Sequence, residues 1–144
     1  MLLTVKDACE LHPMALDYSM SEQVENLSDV SGTATAAARE FFDKNYVTKG
    51  METLLSQGLR RLGGKSDQAV FELKQAMGGG KTHSMIALGL LARNSSLRAE
   101  IVPEIARDAA FGNANLVAVT GRSGFEEAFV WGEIANQLGK GAQF

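Results

Sequence analysis

The stretch Gln75-Ala76-Met77-Gly78-Gly79-Gly80-Lys81-Thr82 decides how the fold of this 144-residue chain is interpreted. It lies between an alternating run at residues 69–73 and a strongly apolar run at residues 84–92. The alternation predicts a β-strand, and the apolar run predicts a deeply packed α-helix. A strand, a glycine loop, a Lys-Thr pair and a helix, in that order, are typical of a phosphate-binding loop.

Each part of this loop has a chemical reason to bind phosphate. Glycines let several backbone N–H groups approach one anion, and the N-terminus of the following helix adds a partial positive charge. We expect Gly78, Gly79 and Gly80 to line the phosphate cradle. Lys81 is the predicted catalytic residue, since it would bring a mobile positive charge to the outer phosphates. Thr82 would place its hydroxyl on Mg²⁺.

The loop is a relaxed form of the Walker A pattern G-x-x-x-x-G-K-[ST], because Gln75 stands where the first glycine belongs. Met77 and His83 flank the glycines and the Lys-Thr pair and are further predicted nucleotide contacts. His83 would approach a phosphate or the sugar. The alternative is a flexible turn with a surface Lys-Thr pair, in which His83 merely tolerates the start of a helix.

Helical patterns surround the loop. Residues 34–42 and 48–62 are predicted helices, the second capped by Thr48 and ended by the pair Gly63-Gly64. Residues 97–110 also read as helical, with Pro103 either starting a fresh first turn or introducing a kink.

A second apolar run, at residues 116–120, is the clearest predicted strand. The capping box at residues 123–126 predicts a last helix that Gly139 closes. This order of elements predicts an α/β fold, namely an incomplete P-loop NTPase-type parallel sheet with flanking helices.

The N-terminal region is polar, and two short helices are predicted near residues 4–11 and 20–27. We therefore divide the chain into a polar helical N-terminal segment (1–33), a helical segment preceding the core (34–64) and the first part of a nucleotide-binding domain (65–144).

Composition narrows the class of protein. The chain is 45% hydrophobic with a net charge of -3, which is typical of a globular protein and gives no strong attraction to nucleic acid or anionic membranes. Its one cysteine, Cys9, cannot form an internal disulfide, so we expect a cytoplasmic setting. No apolar run is long enough for a membrane span, and no membrane partner is expected.

A hydrolytic P-loop ATPase also needs an apolar strand that ends in aspartate. No aspartate of this chain fits that role; Asp108, for example, falls in a helical pattern. Two strands are also too few for an open parallel sheet. We therefore expect the N-terminal portion of a longer ATPase, in which acidic residues from outside this chain are needed before ATP is split.

Three stretches resemble one family. Residues 74–83 are similar to its loop "aromatic-or-Met, Gly-Gly-Gly-Lys-Thr-His". Residues 41–51 resemble its "Phe-Phe … Tyr-x-Thr-x-Gly" segment, and residues 131–135 are similar downstream. The family is the large prokaryotic group called domain of unknown function four-nine-nine, described as AAA+-like ATPases. The resemblance covers most of residues 37–139.

The resemblance implies binding of ATP with Mg²⁺ and a link to DNA modification or phage defence. Partners would be the remainder of the ATPase domain or further copies of the chain, with DNA reached indirectly or through other domains. Two alternatives stay open. One is a nucleotide-binding interaction module that does not hydrolyse ATP, and the other is a scaffold fragment without a ligand.

Overall fold

The computed structural model describes Thr4, residues 27–121 and residues 129–143. In these residues the chain forms six α-helices and two short 3₁₀ helices. In chain order the α-helices are α1 (Thr35–Lys44), α2 (Lys49–Leu62), α3 (Lys81–Arg93), α4 (Ser95–Ile101), α5 (Pro103–Asp108) and α6 (Val130–Gln137). The 3₁₀ helices are Leu27–Ser31 and Gly141–Gln143.

The two boundaries predicted for α2 are confirmed. Thr48 is the N-cap, and its hydroxyl accepts a hydrogen bond from the backbone N–H of Met51 at 3.3 Å. At the other end Gly64 takes a left-handed conformation, with φ of 70°. Its N–H donates to the carbonyl of Arg61, and the N–H of Lys65 donates to the carbonyl of Arg60. Both bonds satisfy carbonyls that the helix end leaves open.

Helix α3 is the centre of the packing. It is apolar nearly all round, as predicted, and it contacts α2, α4 and the 3₁₀ helix Leu27–Ser31. The core contains aliphatic side chains from α2, α3 and α4 together with two phenylalanines of α1. Its most buried members include Leu55, Leu59, Leu91 and Leu97, and the phenylalanines are Phe41 and Phe42.

Pro103 starts a new helix, which confirms the first of the two expectations for this residue. It occupies the first turn of α5, where a missing backbone N–H costs nothing. The preceding residue, Val102, has neither helical nor extended backbone angles and is the junction between α4 and α5.

The predicted α/β parallel sheet is wrong. Within residues 27–121 and 129–143 the chain is helical, and no residue is in a β-strand. The two predicted strands, residues 69–73 and 116–120, have no regular secondary structure. Apolar alternation identifies residues that suit a strand, but a strand exists only when a neighbouring backbone completes its hydrogen bonds. Nothing within the described residues provides that ladder.

A side chain takes the place of a neighbouring strand at residue 118. The amide of Gln137, on α6, accepts from the backbone N–H of Ala118 at 3.0 Å and donates to its carbonyl at 2.9 Å. The same amide donates to the carboxylate of Glu133 at 2.7 Å. Ala118 is buried away from water, so the bonds from Gln137 satisfy a backbone N–H and a carbonyl that would otherwise have no hydrogen-bond partner. The predicted strand at residues 116–120 is therefore held in place by α6 instead of by a β-sheet.

Several sequence predictions fall outside the described residues, namely the two N-terminal helices and the capping box at residues 123–126. The C-terminal end of the last helix is described and agrees with the prediction. Gly139 is left-handed, with φ of 69°, and follows the end of α6. Among the described residues, no helix is both long and apolar enough to cross a membrane.

Candidate functional site

The glycine loop turns the chain sharply before α3. The N–H of Gly79 donates to the carbonyl of Ala76 at 3.0 Å, which closes a tight turn. Gly78 and Gly80 are left-handed, with φ of 78° and 76°, and Gly80 is the N-cap of α3. The first intrahelical bond runs from the N–H of Ser84 to the carbonyl of Gly80, at 2.9 Å. Left-handed positions on both sides of Gly79 are conformations that glycine adopts without a steric penalty.

Gly79 has a different reason to be glycine. A Cβ at this position would lie 3.0 Å from the carbonyl oxygen of Ala76 and 3.0 Å from Cβ of Gln75. By contrast, a Cβ on Gly78 or Gly80 would meet no atom within 4 Å, so their limits come from backbone conformation alone. Backbone conformation therefore favours glycine at positions 78 and 80, and close neighbouring atoms favour it at position 79.

Lys81 reaches back into the loop. Its ammonium donates to the carbonyl of Gln75 at 2.7 Å and to the carbonyl of Ala76 at 2.8 Å. The charged group is therefore positioned by the backbone of the loop, and no described carboxylate forms an ion pair with it. Within the described residues, no carboxylate neutralises this charge at the N-terminus of α3, where the helix dipole has the same sign.

Thr82 lies in the first turn of α3, and its side chain is exposed. A single exposed hydroxyl suits Mg²⁺, which keeps several waters and takes few ligands from the protein besides substrate phosphates. Met77 is fully exposed at the tip of the turn. The predicted contacts from Met77 to His83 are consequently close together at one end of α3, although their roles stay predictions.

His83 packs against α1. Its ring centroid is 6.1 Å from that of the buried Phe41, and the two ring planes are inclined by 31°. The first turn of α3 therefore adjoins the C-terminal half of α1. The predictions from sequence did not include Phe41 at the site; the available signal was its position in the family-like segment at residues 41–51.

Acidic residues are not gathered at the loop. In the described part of the chain, no group of three or more His, Cys, Asp or Glu side chains could hold a metal ion. Asp108, on α5, pairs with Arg60 at 3.1 Å instead.

A second polar centre that the sequence did not indicate lies at Arg98, in the core. This side chain is 2% exposed. Its guanidinium donates to the carbonyl of Leu91 at 3.0 Å, to that of Phe111, and to that of Gly112 at 3.2 Å. It also stacks over the Phe111 ring at 3.6 Å. Burial lowers the pKa of Arg98, but arginine stays charged, and it clamps the segment after α5 to α3.

The cavities found among the described residues lie elsewhere. One of about 560 Å³ is bordered by polar side chains of α2 and the following turn, including Arg60, Lys65 and Gln68. Another, of about 490 Å³, lies at the C-terminal ends of α3 and α6, beside Arg93 and Gln137. Both are bordered by residues outside the glycine loop.

Comparison with known proteins gives one assignment. Neither the curated proteins nor the solved structures provide a match to this chain. The family model described as the DUF499 N-terminal domain matches residues 9–143, which include the glycine loop, Lys81 and all six α-helices. Because this match spans nearly the whole sequence, the chain belongs to the DUF499 N-terminal domain family.

Proposed function

We propose that this chain binds ATP with Mg²⁺ through the loop at residues 75–83, as part of an AAA+-like ATPase. The observation that carries the proposal is the position of the Lys81 ammonium, bound to the carbonyls of Gln75 and Ala76 at the N-terminus of α3. It supports the proposal because three sources of positive potential meet there: the ammonium, the helix end and the loop N–H groups.

The chemistry of the loop favours a polyphosphate over a smaller anion. Gly78 and Gly80 adopt left-handed conformations around Gly79, so successive N–H groups can turn toward one anion. Lys81 can leave two carbonyl partners for phosphate oxygens, which bind an ammonium more strongly because they are charged. Thr82 would contact Mg²⁺, and the metal would neutralise charge on the phosphates.

A nucleotide-binding module that does not hydrolyse ATP is the second candidate. The observation that favours it is the absence, within the described residues, of an acidic cluster beside Lys81 and Thr82. Binding would then order the loop and change how the chain meets its partners. The link to DNA modification or phage defence, and the assembly with further ATPase segments or copies, stay predictions from the family resemblance.

The test of binding is isothermal titration calorimetry with Mg·ATP. Lys81→Ala removes the only charged side chain of the loop and should weaken binding at least about tenfold, as expected for a charge-assisted hydrogen bond. Lys74→Ala is the matched control, because Lys74 lies nearby but is 77% exposed and paired with Glu72. Its ATP affinity should stay within about twofold of the parent value.

Equal ATP affinity in the parent chain and Lys81→Ala would remove the phosphate-loop proposal, and no ATP binding by the parent chain would favour a scaffold without a ligand. Single-turnover hydrolysis of ATP separates the two nucleotide-binding candidates. Turnover that is lost in Lys81→Ala would contradict the non-hydrolysing module. Tight binding without turnover would favour that module over an ATPase for this chain.

A further inference from the structure

Tyr46 is an exposed aromatic residue on an anchored linker. The linker joins α1 to α2, and 86% of the Tyr46 side chain is exposed. On one side, the Asn45 side-chain amide donates to the carbonyl of Phe41 at 2.8 Å. On the other, Thr48 caps α2, and Val47 packs against the core. The backbone beside Tyr46 is thus held at both ends, while its ring offers a flat apolar face to a ligand.

Two successive contacts join the linker to the proposed phosphate site. Phe41 connects the two, because its carbonyl accepts from Asn45 while its ring contacts the ring of His83, with 6.1 Å between centroids. His83 is two residues after Lys81, in the first turn of α3. A nucleotide whose phosphates lie at Lys81 can therefore extend its nucleoside past His83 toward the linker.

We infer that the linker forms the base-binding part of the nucleotide site. Tyr46 stacks on the purine, and His83 borders the ribose and the base. This inference rests on the phosphate-binding role proposed for the loop, and it adds a base subsite formed by a segment far upstream of the glycines. Stacking on aromatic rings is a common source of affinity for bases because every base has an apolar face.

The experiment compares ATP, GTP and tripolyphosphate by calorimetry, since tripolyphosphate has the phosphates without the base. The parent chain should bind ATP and GTP more tightly than tripolyphosphate, because both nucleotides carry a base that can stack on Tyr46. Tyr46→Ala should weaken ATP about tenfold, the size of one base–aromatic stack, and leave tripolyphosphate unchanged. Tyr46→Phe keeps the ring and should bind ATP within about twofold of the parent. Val70→Ala, at another side chain that is 81% exposed, is the matched control and should change neither ligand.

Unchanged ATP affinity in Tyr46→Ala would overturn the inference, as would an equal loss of ATP and tripolyphosphate binding. The phosphate proposal fails in a different way, when Lys81→Ala binds tripolyphosphate as tightly as the parent chain. A result in which Lys81→Ala loses tripolyphosphate while Tyr46→Ala keeps ATP would therefore retain the phosphate loop and reject the base subsite. Circular dichroism of each variant confirms that the helices are retained.

Discussion

The two ends of α3 differ in burial and in the role that we assign to them. The C-terminal half is buried, with Leu90, Leu91 and Ala92 all at most 5% exposed. The N-terminal turn carries the exposed Thr82 and Lys81, whose ammonium bonds to nearby loop carbonyls. One end therefore gains its free energy from packing, and the other is left available for a ligand. Binding loops come from the less stable parts of a fold. We therefore expect substitutions at the buried end to lower stability most and substitutions at the exposed end to weaken ligand binding.

The largest effect is expected at the buried end. Leu91→Ala removes a side chain with no exposed surface and should lower the free energy of unfolding by about 3 kcal/mol. Met85→Ala, on the same helix but 41% exposed, should cost less than about 1 kcal/mol. Urea denaturation followed by circular dichroism gives both values. A similar cost for both variants would show that the two ends are not packed differently.

Substitution of Arg98 tests whether its hydrogen bonds to backbone carbonyls stabilise the buried end of α3. Arg98→Met should lower the free energy of unfolding by about 2 kcal/mol, because three carbonyls lose a charged donor away from water. Arg107→Met is the control, since Arg107 is 75% exposed and pairs only with Glu104 and a backbone carbonyl of its own helix; its cost should stay below about 0.5 kcal/mol. If Arg98→Met were as stable as the parent chain, the clamp would not contribute to the fold.

The smallest effect on stability is expected at the exposed end. Gly80→Ala forces a side chain into the left-handed region and should cost about 1 kcal/mol, while also weakening ATP binding through the displaced loop. Gly50→Ala, in the first turn of α2 with no atom near its Cβ position, should instead stabilise the chain by about 0.5 kcal/mol. Thermal unfolding and ATP calorimetry on both variants check the opposite signs. Gly80→Ala with unchanged stability would contradict the left-handed requirement.

Local patterns predicted the helices well because their signals are short-range. The Thr48 cap, the glycine after α2 and the first-turn proline of α5 each act within a few residues. The glycine loop and the lysine beside it were also recognisable, since their spacing is a local property. The predicted sheet failed for the opposite reason. Residues 69–73 and 116–120 carry strand-like side chains, but pairing depends on a backbone far away in sequence.

The sequence by itself determined where α2 begins and ends, where α5 begins, and that Gly78, Gly79 and Gly80 form a turn before an apolar helix. Only the tertiary structure decided which groups meet across the chain. It brought Gln137 to the backbone of Ala118, Arg98 to the carbonyls after α5, and Phe41 to the ring of His83. The physical reason is the separation in sequence over which each kind of interaction acts. Caps and turns depend on residues a few positions apart in sequence. The bonds and contacts listed above join residues that are distant in sequence and become neighbours only when the chain packs.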